Sequence, residues 1–302
     1  MENIRKKRRS LKKESNILDK RSGGEKIFFS IVAVVLWVHT LTLIIPIIFM
    51  VMTSLKSSGE YYATKLYDFP TQWLFENYKL AFTSLKYRDI TFFDMLYNST
   101  WFTLEKSLIN ELAPLMVGYA LARYKFPGKK FITTFILVRT VLPLFGSGGA
   151  YMQLLHDLNL HDNRLLLIAT SWDGLGLMAL LYSAAYAGLS NSYKEAAEID
   201  GASRLQIFAF IETPMIGSFV LVRFVLALMG NWPQYEPFLL YLPSYANLAM
   251  GLYKLQTQFS GGGENIPIYF CGLLISAIPT TILFACVSKK MFTSLAIGGL
   301  KG

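Results

Sequence analysis

The sequence is short of charge, of cysteine and of histidine. Of its 302 residues only 16% are Asp, Glu, Lys or Arg, where a soluble domain carries about a quarter. That shortfall excludes an ordinary soluble enzyme and a disordered chain. The two cysteines, Cys271 and Cys286, lie in one apolar run, so neither a disulfide scaffold nor a thiolate metal cluster is on offer. Of the three histidines, His39 stands alone, and His156 and His161 are five apart with no third ligand. A phosphate loop of the form Gly-x-x-x-x-Gly-Lys-[Ser/Thr] is missing too. Gly128-Lys129-Lys130 lacks both the earlier glycine and the hydroxyl. No Ser/His/Asp or Cys/His grouping offers a nucleophile, and the chain is not expected to be an enzyme.

What the sequence does hold is apolar: 53% of it is hydrophobic and 15% aromatic. The run Ile27–Met52 has 26 residues without a formal charge, more than the roughly 20 that span hydrocarbon and too long for a signal-peptide core. Five further stretches have spanning length: Met95–Leu121, Phe131–Leu155, Leu165–Leu189, Met215–Leu240 and Ile266–Val287. The expectation is an all-α polytopic membrane protein of six transmembrane helices over residues 27–302, preceded by a basic tail, 1–26. That tail carries ten Lys and Arg against four Asp and Glu, within a total net charge of +9. Basicity gathered at one end does not describe a nucleic-acid groove.

Orientation follows from the basic residues on alternate sides. Segments 1–26, 122–130, 190–214 and 288–302 hold nineteen Lys and Arg, whereas 53–94, 156–164 and 241–265 hold seven. The positive-inside rule then places both termini in the cytoplasm. The cluster Arg5-Lys6-Lys7-Arg8-Arg9 is suited to anionic lipid. Segment 53–94 balances five acids against five bases and is expected to fold against the outer face.

The inner loop 190–214 is the informative one. Ser192 with Glu195 three positions on reads as a capping box, Gly201 as a residue that takes positive φ to close a helix, and Ser203 as a second cap. The apolar set Leu205, Ile207, Phe208 and Ile211 then predicts a second helix stopped by Pro214. Ala196 and Ala197 are small enough for close approach by another backbone. The loop holds Glu195, Glu198, Asp200 and Glu212 against Lys194 and Arg204. An acidic inner loop runs against the positive-inside trend, and a docking surface for a separate basic protein accounts for it.

This loop resembles the EAA motif of inner-membrane permeases from binding-protein-dependent ABC importers. That pattern is Glu-Ala-Ala, three residues, Gly, nine residues, Ile, one residue, Leu-Pro. Glu195, Ala196, Ala197, Gly201, Ile211 and Pro214 match it, and Thr213 departs from it where the pattern has Leu. The extended form through Asp200, Gly201, Ala202 and Ser203 is similar to the carbohydrate branch, the maltose and multiple-sugar permeases of the second-subunit type. Asn98-Ser99, the stretch Tyr119–Gly128, Asn231-Trp232 and the end Gly298–Gly302 resemble that branch as well. The resemblance covers residues 30–302 and implies the type I ABC importer permease fold in a bacterial cell membrane. It implies a heterodimer with a second homologous permease, two ATPase subunits and an extracellular binding protein that delivers a carbohydrate. ATP and Mg would sit on the ATPases, and this chain would bind no cofactor. Glu195 would be the ionic anchor on the ATPase, Ala196 and Ala197 the close-packed face, and Gly201 the turn.

Charges inside the spans need partners or a wet cavity. At 1.5 Å per residue, Glu111, Arg139 and Arg223 fall at similar depth, so Glu111 is expected to pair with Arg139 or Arg223. For a sugar path, aromatic faces cover a pyranose while amides and carboxylates bond its hydroxyls. Trp172 and Asp173 in the fourth span and Trp232, Gln234, Tyr235 and Glu236 in the fifth have that chemistry. Pro233 and Pro237 bracket the second group, and Gly146-Ser147-Gly148-Gly149 is expected to break the third span. An interfacial aromatic belt is the competing reading of these rings. Three functional alternatives also stand: an importer of sugar phosphates or polyols, a secondary carrier working alone on an ion gradient, and a membrane scaffold or sensor without transport, which leaves the acidic inner loop unexplained.

Overall fold

A computed structural model describes residues 23–65, 67–142, 148–165, 171–259 and 266–298, and it is helical throughout apart from its turns and one isolated bridge. In chain order the helices are α1 (Gly23–Ser54), α2 (Ser58–Ala63), α3 (Glu76–Ser84), α4 (Phe92–Arg123), α5 (Lys129–Val141), α6 (Gly148–Asp157), α7 (Leu177–Ala187) and α8 (Asn191–Ile199). There follow α9 (Arg204–Met215), α10 (Gly217–Asn231), α11 (Glu236–Leu240), α12 (Leu248–Phe259) and α13 (Ile266–Gly298). Most of the basic tail lies outside the described residues.

Two described helices are long and apolar enough to cross a membrane, α1 and Ile266–Ser288 of α13. The pair α9 and α10 meets the same test together, bent by 81° between them. The other expected spans are subdivided or charged. The stretch expected over Phe131–Leu155 ends its first helix at Val141 and resumes at Gly148; part of the Gly146–Gly149 break falls outside the described residues. Trp172 and Asp173 lie not within a helix but in the irregular segment 171–176 ahead of α7. The fifth stretch breaks after Asn231, next to Pro233, as its prolines predict.

The longest internal helix, α4, buries a polar stripe beside apolar residues such as Met95, Phe102, Leu115 and Leu121. A capping box opens it: the Asp94 N–H donates to the Thr91 hydroxyl and the Thr91 N–H to the Asp94 carboxylate. Positions at helical spacing on its buried face are polar, Ser99, Thr103, Ser107 and Glu111, while Leu104, Leu108, Leu112 and Met116 on the opposite face are exposed. A water-soluble helix keeps polar side chains on its outer face; here an apolar stripe is uncovered and a polar stripe meets other helices. Pro114 sits within α4 without ending it, as neighbouring helices allow in membrane segments.

The helices around α4 set the rest. Against α7 the crossing is closest at Gly118, where an added Cβ would lie 2.6 Å from the Tyr182 Cβ and 2.8 Å from the Ala179 carbonyl oxygen. Small residues at such crossings let two backbones meet. At the other end, Asn98 donates to the Ala246 carbonyl (3.0 Å) and Ser99 accepts from the Leu248 N–H (3.0 Å), which fixes the start of α12. The expected outer segment is folded: Asn77 donates to the carbonyls of Ser54 and Lys56 at 2.9 and 2.8 Å, and the Leu74 N–H to Leu55 at 2.9 Å. These bonds satisfy carbonyls at the end of α1 that the helix itself leaves open.

Candidate functional site

Segment 190–215 forms two helices joined by a tight turn. Ser190, not Ser192, is the N-cap of α8, its hydroxyl accepting from the Ser192 N–H at 3.3 Å. Glu195 is therefore in the middle of α8 rather than a capping partner. At the other end the Gly201 N–H donates to Glu198 (3.2 Å) and the Ala202 N–H to Ala197 (2.9 Å). This is the Schellman arrangement, and it requires the left-handed φ of +81° that Gly201 adopts. Since a side chain in that conformation costs about 1–2 kcal/mol, and nothing lies within 4 Å of an added Cβ, Gly201→Ala acts through backbone strain alone. We expect it to lower the thermal midpoint of the detergent-solubilised chain without altering its helix content, read by circular dichroism.

Ser203 caps α9 with a true box, exchanging bonds with Gln206. The helix then widens to π geometry over Ile207–Glu212 and runs on through Pro214 to Met215. Pro214 thus does not stop it. Proline at the start of a new helical turn has no intrahelical donor to lose, and the chain instead turns at Ile216.

One face of this pair is open. Glu195, Ala196, Glu198, Asp200 and Gly201 are exposed, with Ile199 at 87%, Leu205 at 71% and Phe210 at 77% exposure. Ala197 is the buried member of the Ala pair and Ala202 is half-buried, while Ile211 is half-buried on α9. Carboxylates interleaved with large uncovered apolar side chains give a surface able to bury area and to pair with a basic neighbour.

Beneath that face lies a charged cluster that sequence reasoning missed. The Arg123 guanidinium, at the end of α4, is 2.6 Å from the Glu212 carboxylate, the two side chains being 5% and 0% exposed. It also donates to the Asn191 amide oxygen (2.7 Å) and the Leu189 carbonyl (3.3 Å). Tyr119, Tyr186 and Phe208 close around it, and the Tyr186 hydroxyl meets that of Thr213 at 2.7 Å. The signal available beforehand was Glu212 inside an otherwise apolar run.

Deeper in the bundle, Glu111 pairs with Arg223 at 3.6 Å and accepts from the Tyr182 hydroxyl. Arg139, the other candidate, pairs instead with Asp173 near the surface. Equal depth left the azimuth open, and Asp173 claims Arg139.

The expected sugar-path residues do not form one group. Trp172 is 56% exposed and sits with Asp173 and Arg139, away from the others. Trp232, Gln234 and Tyr235 gather at the break after α10. Trp232 donates to the Ser276 carbonyl (2.9 Å), and Tyr235 stacks on Tyr253 with centroids 4.4 Å apart. Gln234 accepts from the Lys106 ammonium (2.6 Å) and donates to Asn231 (3.2 Å), which in turn bonds Ser107 (2.8 Å). Glu236 opens α11 and is exposed. A cavity of about 420 Å³ between α10, α12 and α13 is lined by Trp232, Tyr235, Tyr253, Gln256, Tyr269 and Thr280 among others. Tyr253, Gln256, Tyr269 and Lys106 had not been assigned to a path. Among the described residues no group of three His, Cys, Asp or Glu could hold a metal; His156 and His161 stack on each other, 5.4 Å between centroids.

Residues 115–289 match the family model described as binding-protein-dependent transport system inner membrane component. The chain is 29% identical over 268 residues to the maltodextrin transport system permease protein MalD of Streptococcus pneumoniae, covering 87% of this chain and 92% of that protein. It is 26% identical over 265 residues to the arabinooligosaccharides transport system permease protein AraQ of Halalkalibacterium halodurans, covering 86% and 91%. Among solved structures it superposes on a chain of a bacterial ABC transporter involved in the import of the acidic polysaccharide alginate. The TM-score is 0.71 at 21% identity, over 89% of this chain and 98% of that one.

Proposed function

Because the chain belongs to the family of binding-protein-dependent transport system inner membrane components, permease subunits of the membrane rather than enzymes, we propose that it is one transmembrane subunit of an ATP-driven importer of carbohydrates, oligosaccharides in particular. Such dependence on a binding protein sets aside a secondary carrier working alone. The observation that carries the reading is the open acidic and apolar face of α8 and α9, in a chain that has no phosphate loop of its own. ATP and Mg belong on two separate ATPase subunits, with α8 in a cleft of one of them. Glu195 faces a basic residue there, Ala196 and Ala197 allow the close approach, and Asp200, Gly201 and Ala202 hold the turn. Ile211 and Pro214 carry the push into α10.

The remaining partners are a second, homologous permease, an extracellular binding protein and the lipid of a bacterial cell membrane. Six spans with both termini cytoplasmic fit the charge asymmetry, α4, α5–α6 and α7 supplying the charged or interrupted crossings. The cargo path in this chain runs past Trp232, Gln234, Tyr235 and the cavity rings Tyr253 and Tyr269. Trp172, Asp173 and Glu236, being exposed, serve it only from a surface shared with the second permease. Lys106 favours one alternative: an ammonium group held by an amide beside that path suits an anionic cargo such as a sugar phosphate.

Proteoliposomes containing the chain, its partner permease and the ATPases, with purified binding protein outside, test this directly. We expect ATP-dependent uptake of labelled neutral oligosaccharides that stops when the binding protein is left out. Uptake of a sugar phosphate alone would move the assignment to the anionic cargo, and uptake indifferent to ATP would reject the importer reading.

A further inference from the structure

The Arg123 side chain is the one point at which α4, α8 and α9 are joined by polar bonds among the described residues. Its Nη1 donates to Asn191 in the first turn of α8 and Nη2 to the Leu189 carbonyl just before α8, while Nη2 also lies 2.6 Å from the Glu212 carboxylate in the π-helical stretch of α9, an ion pair in which neither Glu212 oxygen makes a hydrogen bond. The planar guanidinium makes the Asn191 and Leu189 bonds at fixed angles, with its charge beside Glu212, a combination that a lysine ammonium cannot reproduce. The two side chains are 5% and 0% exposed, so salt screens the contact far less than it would a surface pair. Nor is it isolated: α4 runs from Arg123 through the tight Gly118 crossing with α7 to Glu111, which meets Arg223 of α10.

We propose that the buried Arg123–Glu212 pair is a positioning clamp that makes α8, α9 and the inner end of α4 move as one body, so that displacement of α8 by its partner is delivered to the membrane helices. This rests on the importer reading above, and it adds a transmission element distinct from the exposed docking face. Without the clamp, α8 still docks but slides or tilts relative to α4, and ATP is consumed without movement of the path.

The test uses the assembled transporter in proteoliposomes and compares two readouts, ATP hydrolysis stimulated by the binding protein and solute taken up. Glu212→Gln and Arg123→Lys weaken the clamp with little change of volume. The double variant Arg123→Leu with Glu212→Leu replaces a buried ion pair by apolar residues, an exchange that folded proteins often tolerate, so it separates loss of coupling from loss of folding. The expected result is that all three retain the ATPase on purification, and that the double variant keeps the wild-type thermal midpoint. ATP hydrolysed per molecule transported should rise at least tenfold. A double variant with the wild-type ratio would overturn the proposal, as would a fall in hydrolysis and uptake in equal proportion. A wild-type complex in which the binding protein stimulates no hydrolysis would instead reject the importer reading, which keeps the two failures apart.

Discussion

Glu195→Lys is expected to release the ATPase. With a tag on the permease, the ATPase recovered after gentle extraction should fall at least tenfold, while the amount of permease in the membrane stays as in the wild type. The two halves of that expectation have separate origins. Glu195 is exposed and neither bonded nor ion-paired among the described residues, and substitutions at such positions usually change folding stability by less than about 0.5 kcal/mol. Losing one partner of an interfacial charge pair, by contrast, costs about 2–5 kcal/mol, and reversal adds repulsion. Lys194, one position away and 3.6 Å from Glu198 on the same helix, provides the control: Lys194→Ala should leave recovery unchanged. If Glu195→Lys copurified with a full complement of ATPase, α8 would not be the docking element.

The second large effect belongs to Gly118→Val, which acts on folding rather than docking. Even the first carbon of a side chain there would lie 2.6 Å from the Tyr182 Cβ, 2.8 Å from the Ala179 oxygen and 2.9 Å from the Ser183 nitrogen. Two of those three are backbone atoms, so no rotamer change relieves the clash and α4 must move off α7. Overpacking of this kind costs about 1–3 kcal/mol, sometimes more, and the crossing also holds Tyr182 against Glu111. We expect little folded protein in the membrane fraction and a thermal midpoint lowered by several degrees in what remains. Gly217→Ala, with nothing within 4 Å of its Cβ, should be neutral. A Gly118→Val chain as stable as the wild type would mean that this crossing is looser than its distances indicate.

What the sequence revealed and what it hid divide along physical lines. Local chemistry was readable: Gly201 closes α8, Ser203 caps α9, and the prolines mark the break after α10. Depth alone narrowed the partner of Glu111 to Arg139 or Arg223, because helical rise converts residue number into height. Direction around the helix axis is not encoded that way, and Arg139 went to Asp173. Ser192 and Glu195 have correct box spacing, yet the N-cap of α8 is Ser190, where Arg123, far away in sequence, holds Leu189 and Asn191. The same long-range contact explains why the role of Glu212 was hidden. Tyr253 lies on a helix whose apolar period, Leu248, Leu252, Leu255 and Phe259, is readable, but which helices it packs against is not, so only tertiary packing brings Tyr253 and Tyr269 to Trp232 and Tyr235.

The buried polar stripe of α4 also has a consequence in time. Glu111 is made about 110 residues before Arg223, so at roughly 5–20 residues per second α4 waits on the order of 6–20 s for its counterion. During that interval a helix carrying Glu105, Lys106 and Glu111 is a poor guest for bare lipid, whereas charge-free Ile27–Met52 of α1 is a good one. On the six-span reading proposed above, release into the bilayer is then staggered: α1 leaves the insertion machinery at once, and α4 lingers beside it until α10 emerges. Slowing translation between residues 124 and 223 should lengthen the period in which α4 can be crosslinked to that machinery and leave the departure of α1 unchanged.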